Sequence, residues 1–344
     1  MKRTTRLDAI HLLTMLVFIA VTVILRTVAC FNDLDYSTGY FTDKLCINVA
    51  NCLAAAACVI SLAFGFINKS DAKYRINMHS PLVYIPAGIT SVALIFFAAH
   101  GIYTLIKLPG AFLSTETFSS TQNVLLALAS LFALVSIAYF MIENVFDKQR
   151  SQERGVFGIV VVLFLAILAA YTYFSDSMSM NSLIKITDQL AYSFAAVFFL
   201  FECRIALNRE RWSGYVAFGG IAAILSAYSS IPSLIMYFAK DTVISSSIAE
   251  NILMLAICLL TLARLVLLLC SPEDKKSETV EAIALMSSAR RAEMEASALA
   301  RARALEMLKE ENDSAEEPTV ENVLDENYKM DIDNINISDL TGEN

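Results

Sequence analysis

The sequence predicts an all-α integral membrane protein: a bundle of about eight transmembrane helices in antiparallel hairpins, followed by a long cytoplasmic helix and a disordered acidic tail. Three observations predict it. Hydrophobic residues make up 56% of the chain and charged residues 17%, at a mean hydropathy of +0.57, above the roughly 45–50% apolar content of soluble domains. Eight apolar stretches reach the length of about 20 residues that a helix needs to cross the hydrocarbon. Basic residues, finally, collect on alternate connections between those stretches.

The stretches run over approximately 9–30, 46–67, 83–106, 122–142, 155–174, 186–207, 214–238 and 248–270. Each must be helical, because a lone segment in lipid has no other way to pair its backbone groups. Lys2, Arg3 and Arg6 precede the first stretch, but it is too long for a signal peptide and lacks an A-x-A site, so it reads as a span. The preceding tetrapeptide of a lipoprotein is also absent, since Thr27-Val28-Ala29-Cys30 has no apolar residue where one is required.

Orientation follows from the flanking cations. The N-terminus holds Lys2, Arg3 and Arg6; the second connection Lys69, Lys73 and Arg75; the fourth Lys148, Arg150 and Arg154; the sixth Arg209 and Arg211. The alternate connections hold Lys44, Lys107, Lys185 and Lys240, which is four against eleven. Both termini are therefore expected in the cytoplasm. The sequons at Asn68, Asn312 and Asn336 then fall on the cytoplasmic side and predict no glycosylation.

After the last span, Ser271-Pro272-Glu273-Asp274 carries a cap, a proline suited to the first helical position and acids suited to the dipole. Strong helix formers without Gly or Pro continue to Asn312, enough for about 60 Å of helix at the standard rise. Arg290, Arg291, Arg301 and Arg303 break any sustained heptad, so a charged helix is expected in preference to a coiled coil. The domains expected are thus 1–270 in the membrane, a helix over 271–312 and a tail over 313–344. That tail holds ten acids and one lysine, a charge of −9 that leaves +1 for the rest of the chain. Met330, Ile332, Ile335, Ile337 and Leu340 are spaced among its acids as a candidate docking segment for a basic groove on a cytoplasmic protein.

Ionisable groups inside a span are costly and mark candidate sites. Glu202 lies in an apolar run and needs a partner; Arg204 is two residues on and points elsewhere, so Arg264 at similar depth is the expected one. Arg26 and Arg264 lie near span ends, where a long side chain can snorkel to the interface. In the outer half, Asn48, Asn51, His100, Asp188 and Gln189 are expected to converge with Arg26 on a small polar cavity, with interhelical hydrogen bonding as the alternative. Pro232 should kink its span, with Ser229 and Ser230 offering hydroxyls to the freed carbonyls.

A shift of 59 residues aligns Phe140, Glu143, Arg150 and Gly155 with Phe199, Glu202, Arg209 and Gly214, a pattern suggestive of an internal repeat that adds Glu143 to the intramembrane candidates. The segments FNDLDYSTGYF and FFLFECRIALNRERWSGYVAFGGIAAILSAYSSIPSLI resemble a family of polytopic membrane proteins of Gram-positive bacteria whose motifs carry no assigned chemistry. That resemblance implies a bacterial plasma membrane.

The seven cysteines form no C-x-x-C pair, and only His11, His79 and His100 accompany them, so no metal or other cofactor is expected. Cys30 and Cys46 fall at outer span ends, either as a disulfide or as two thiols. Motifs for a metalloprotease, a serine hydrolase or a P-loop are absent, and the Asp33-Leu34-Asp35 start of a calcium loop fails at Thr38 and Lys44. The expected partners are the bilayer and a cytoplasmic protein, with no nucleic acid. Two functions remain: a membrane scaffold or sensor that recruits a partner through its C-terminal region, or a transporter or channel that uses the outer pocket and Glu202.

Overall fold

The computed structural model describes residues 2–35, 38–67, 80–107, 117–146, 152–175, 179, 181–207, 209, 211–240, 246–270, 296–297, 300 and 303, without the side chains of 2–8, 117–120, 143–146 and 270. The chain divides into two units, Met1–Pro272 and Glu273–Asn344. In the second, the described residues Ala296, Ser297, Ala300 and Arg303 are helical and exposed. The docking segment expected at Met330 to Leu340 lies outside the described residues, as does most of the helix expected over 271–312.

The first unit is all helical: α1 (Lys2–Asn32), α2 (Leu45–Ile67), α3 (Pro81–Lys107), α4 (Thr117–Phe146), α5 (Gln152–Phe174), α6 (Leu183–Ala206), α7 (Trp212–Lys240) and α8 (Ile248–Cys270). Each is long and apolar enough to cross a membrane. The chain is a multi-pass membrane protein, and its exposed Leu13, Ile24, Val92 and Phe238 form outer surface suited to lipid.

Local signals set several helix starts. Ser182 caps α6 by accepting the Lys185 amide at 3.3 Å. Ser247 and Glu250 form a reciprocal capping box at α8: the Ser247 amide donates to Glu250 Oε1 and the Glu250 amide to Ser247 Oγ, each at 3.3 Å.

Helices α3 to α8 form a ring in which each contacts the next and α3 closes onto α8; α1 and α2 pack on each other and on α7. Phe97, Phe140, Phe164, Leu165, Leu168, Phe198 and Phe199 fill the core. Helix α7 is the most buried span. It approaches α2 through a stripe of small residues, Ala50, Ala54, Ala57, Ser61 and Gly65. A Cβ at Gly65 would lie 2.8 Å from the Ala217 backbone, and Ser61 Oγ donates to the Ala217 carbonyl at 3.2 Å.

The end at which α1 begins is here termed proximal and the other distal. Between α1 and α2, the described residues of the 33–44 connection, 33–35 and 38–44, make a distal cap: Leu34 and Phe41 pair as an antiparallel bridge, Gly39 takes φ 73° in the turn, and both apolar residues pack with Ala29, Cys30, Ile47, Ile184 and Met236.

Candidate functional site

The spans carry two buried polar clusters, one toward each end. The proximal cluster centres on Glu202, which α6 places one turn before its end with 1% exposure. Arg154 of α5 reaches Glu202 Oε2 at 2.6 Å and Arg264 of α8 reaches Oε1 at 2.7 Å, both arginines fully buried. Tyr215 of α7 donates to Oε1 at 2.5 Å, and Tyr139 of α4 donates to Oε2 at 3.2 Å. Tyr139 also accepts from Arg154 at 3.0 Å and from Arg264 at 3.5 Å. One carboxylate thus ties side chains from five helices, and in surroundings that exclude water such charge-assisted bonds are strong. Phe140 and Phe199 pack edgewise on Tyr139, and Phe198 packs at a tilt on Tyr215.

The sequence expectation placed Glu202 with Arg264, and the structure brings the two together. Snorkelling of Arg264 is corrected: its guanidinium turns inward, because a carboxylate of opposite charge lies within reach there. Arg154, taken from the sequence as a loop cation, is the third residue of α5 and wholly internal. A signal was present in Gly155 and Gly158, whose absent side chains let α5 lie against α6; a Cβ at Gly158 would meet Cys203 Sγ at 2.5 Å. The side chain of Glu143 lies outside those described.

The distal cluster draws on α1, α2, α6, α7 and the start of α8. Arg26 is 2% exposed; its Cζ lies 4.4 Å from the centre of the Tyr228 ring. Tyr228 donates its hydroxyl to Asn51 Oδ1 at 2.6 Å. One residue on, Ser229 donates a short hydrogen bond to Asp188 Oδ1, while Ser246 donates to Oδ2 at 2.8 Å. Beside Asp188 on α6, Tyr192 donates to Glu250 Oε2 at 3.4 Å. Lys185 is buried and donates to the Ser175 carbonyl at 2.5 Å.

Of the residues expected here, Arg26, Asn51 and Asp188 take part. Arg26 does not snorkel; the 33–44 cap packs over its end of α1, and the Tyr228 face offers a substitute for water. Asn48 is exposed on the outer face of α2, off the buried stripe that meets α7. His100 is half-buried on α3, whose neighbours are α4 and α8, so it belongs to another part of the ring. Glu250 was missed, although Ser247-Ile248-Ala249-Glu250 spells its capping box. Pro232 lies within α7, where Ser233 Oγ donates to the Ser229 carbonyl at 3.0 Å. Cys46 directs its thiol to the Leu25 carbonyl at 3.4 Å, and Cys30 and Cys46 are thiols, without the disulfide weighed from the sequence.

Among the described residues, no group of three or more His, Cys, Asp and Glu side chains is placed to hold a metal ion. No family model, curated protein or solved structure matches the chain.

Proposed function

We propose that this chain is a membrane-embedded scaffold or sensor that recruits a cytoplasmic protein through residues 271–312 and the acidic tail 313–344. Its spans thread the plasma membrane of a Gram-positive bacterium as antiparallel hairpins with both termini in the cytoplasm, the orientation favoured by ten cations against four once the internal Arg154 is set aside. The observation that carries the reading is the state of Glu202. Its two oxygens are engaged by two arginines and two tyrosines, so the most demanding charge in the spans serves to hold the bundle together. A firmly tied bundle suits an anchor, and the segment left to act is the −9 tail with Ile332, Ile335, Ile337 and Leu340 among its acids.

Truncation after Asn312 tests this reading. The shortened chain should reach the membrane at wild-type level yet fail to complement loss of the full protein, and replacement of Ile332, Ile335, Ile337 and Leu340 by Ser should do the same. Full complementation by the truncated chain would exclude the scaffold.

The distal cluster favours a second reading, a transporter or channel for a small solute, because the buried polar group of Asp188, Ser229 and Ser246 lies in the same half of the bundle as the Arg26–Tyr228 pair. The substitution Asp188→Asn separates the two: a scaffold keeps its complementing activity, whereas a transporter loses it.

A further inference from the structure

Arg26 is held differently from the other buried arginines. Among the described residues its terminal Nη1, as well as its Nε, has no hydrogen-bond partner, whereas Arg154 and Arg264 leave only Nε without one, and both close ion pairs described in the bundle belong to Glu202 at the opposite end. Its main support is the Tyr228 ring, fixed in turn by Asn51. A π face offsets only part of a guanidinium's charge, and Asp188 receives hydroxyls from Ser229 and Ser246 on its two oxygens. A buried cation with unsatisfied N–H groups is among the most costly arrangements available inside a bilayer. A compact anion removes both costs at once, by accepting the N–H groups and by supplying the missing charge.

We propose that Arg26 is the receptor for a compact monoanion, either a halide or the carboxylate of a small acid, that enters from the distal face beneath the 33–44 cap. Arg26 lies within two turns of the distal end of α1 and is almost wholly buried, with Leu34 and Phe41 packed against Ala29 and Cys30 at that end, so only a small ligand would fit. Tyr228 acts as a positioning residue that keeps the guanidinium plane fixed. The site is independent of the C-terminal tail, so it can stand or fall without the scaffold reading.

The test uses the full chain, purified in detergent with gluconate as the sole anion and then titrated with chloride or formate at constant ionic strength while the thermal midpoint is followed. Chloride, formate or both should raise the midpoint saturably; a response to chloride alone identifies a halide, and one to formate identifies a carboxylate. Arg26→Lys, which keeps a charge but loses the planar donor set, should raise the half-saturating concentration about tenfold, equivalent to the loss of one good hydrogen bond. Arg26→Gln should abolish the response, and the Lys variant carries the comparison should the Gln variant not fold. Equal midpoints in chloride, formate and gluconate for the wild-type chain, or an undiminished response in the variants, would overturn the assignment.

Discussion

At the proximal end two buried guanidiniums share one carboxylate and two phenols, whereas at the distal end a single buried guanidinium lies against one phenol ring, outside both close ion pairs found among the described residues. Each cluster includes buried arginine, yet the consequences for the fold differ. Around Glu202 every helix from α4 to α8 contributes a side chain, so the charge is a joint between elements far apart in sequence. Around Arg26 the contacts run mainly between α1 and α7, and the charge itself adds a cost that its surroundings only partly relieve. Stability inside a membrane thus depends less on how many charges are buried than on how completely each is coordinated.

Substitutions can break or sharpen this contrast, all read as unfolding free energy of the purified chain in chloride-free gluconate buffer. Glu202→Ala should have the largest effect, a loss of about 3–5 kcal/mol, since it strands two buried arginines without counter-charge. Loss of one cation, in Arg154→Leu or Arg264→Leu, leaves a neutral pair of Glu202 and the remaining arginine, and should cost only about 1–3 kcal/mol. A cost equal to that of Glu202→Ala would mean that the carboxylate is not the shared joint.

Gly65→Val disturbs the α2–α7 approach without touching either cluster and should cost about 1–3 kcal/mol through forced separation of the backbones. Tyr228→Phe keeps the ring beneath Arg26 but removes its bond to Asn51, for a loss of about 0.5–1.5 kcal/mol. Arg26→Met should change stability by less than about 1 kcal/mol, or raise it, because an apolar side chain replaces an incompletely coordinated charge. A loss of 3 kcal/mol or more there, in the range of about 3–5 kcal/mol for a broken buried pair, would erase the contrast between the two ends.

The readable parts of the site were those that depend on one helix at a time. Glu202 stood out as an acid in an apolar run, and Arg264 as a cation at matching depth. Arg154 did not, because it follows Lys148 and Arg150 in a basic run that already had a role in orientation. Only the rotation of α5, set by Gly155 and Gly158 against α6, turns Arg154 inward. Asn48 and Asn51 show the same limit: both lie on α2, yet the small-residue stripe against α7 carries Asn51 to Tyr228 and leaves Asn48 on the outer face.

The sequence by itself determined the eight helices, among the described residues, that are long and apolar enough to cross, and approximately where each begins and ends, since hydrocarbon imposes its demand for internal hydrogen bonds on every segment separately. Depth along the spans matched Glu202 with Arg264, but tertiary structure alone decided that Arg154 joins them. Arg154 and Glu202 are 48 residues apart, and their pairing depends on helix rotation and neighbour choice, which arise from the packing of small residues and aromatic rings across the whole ring of spans.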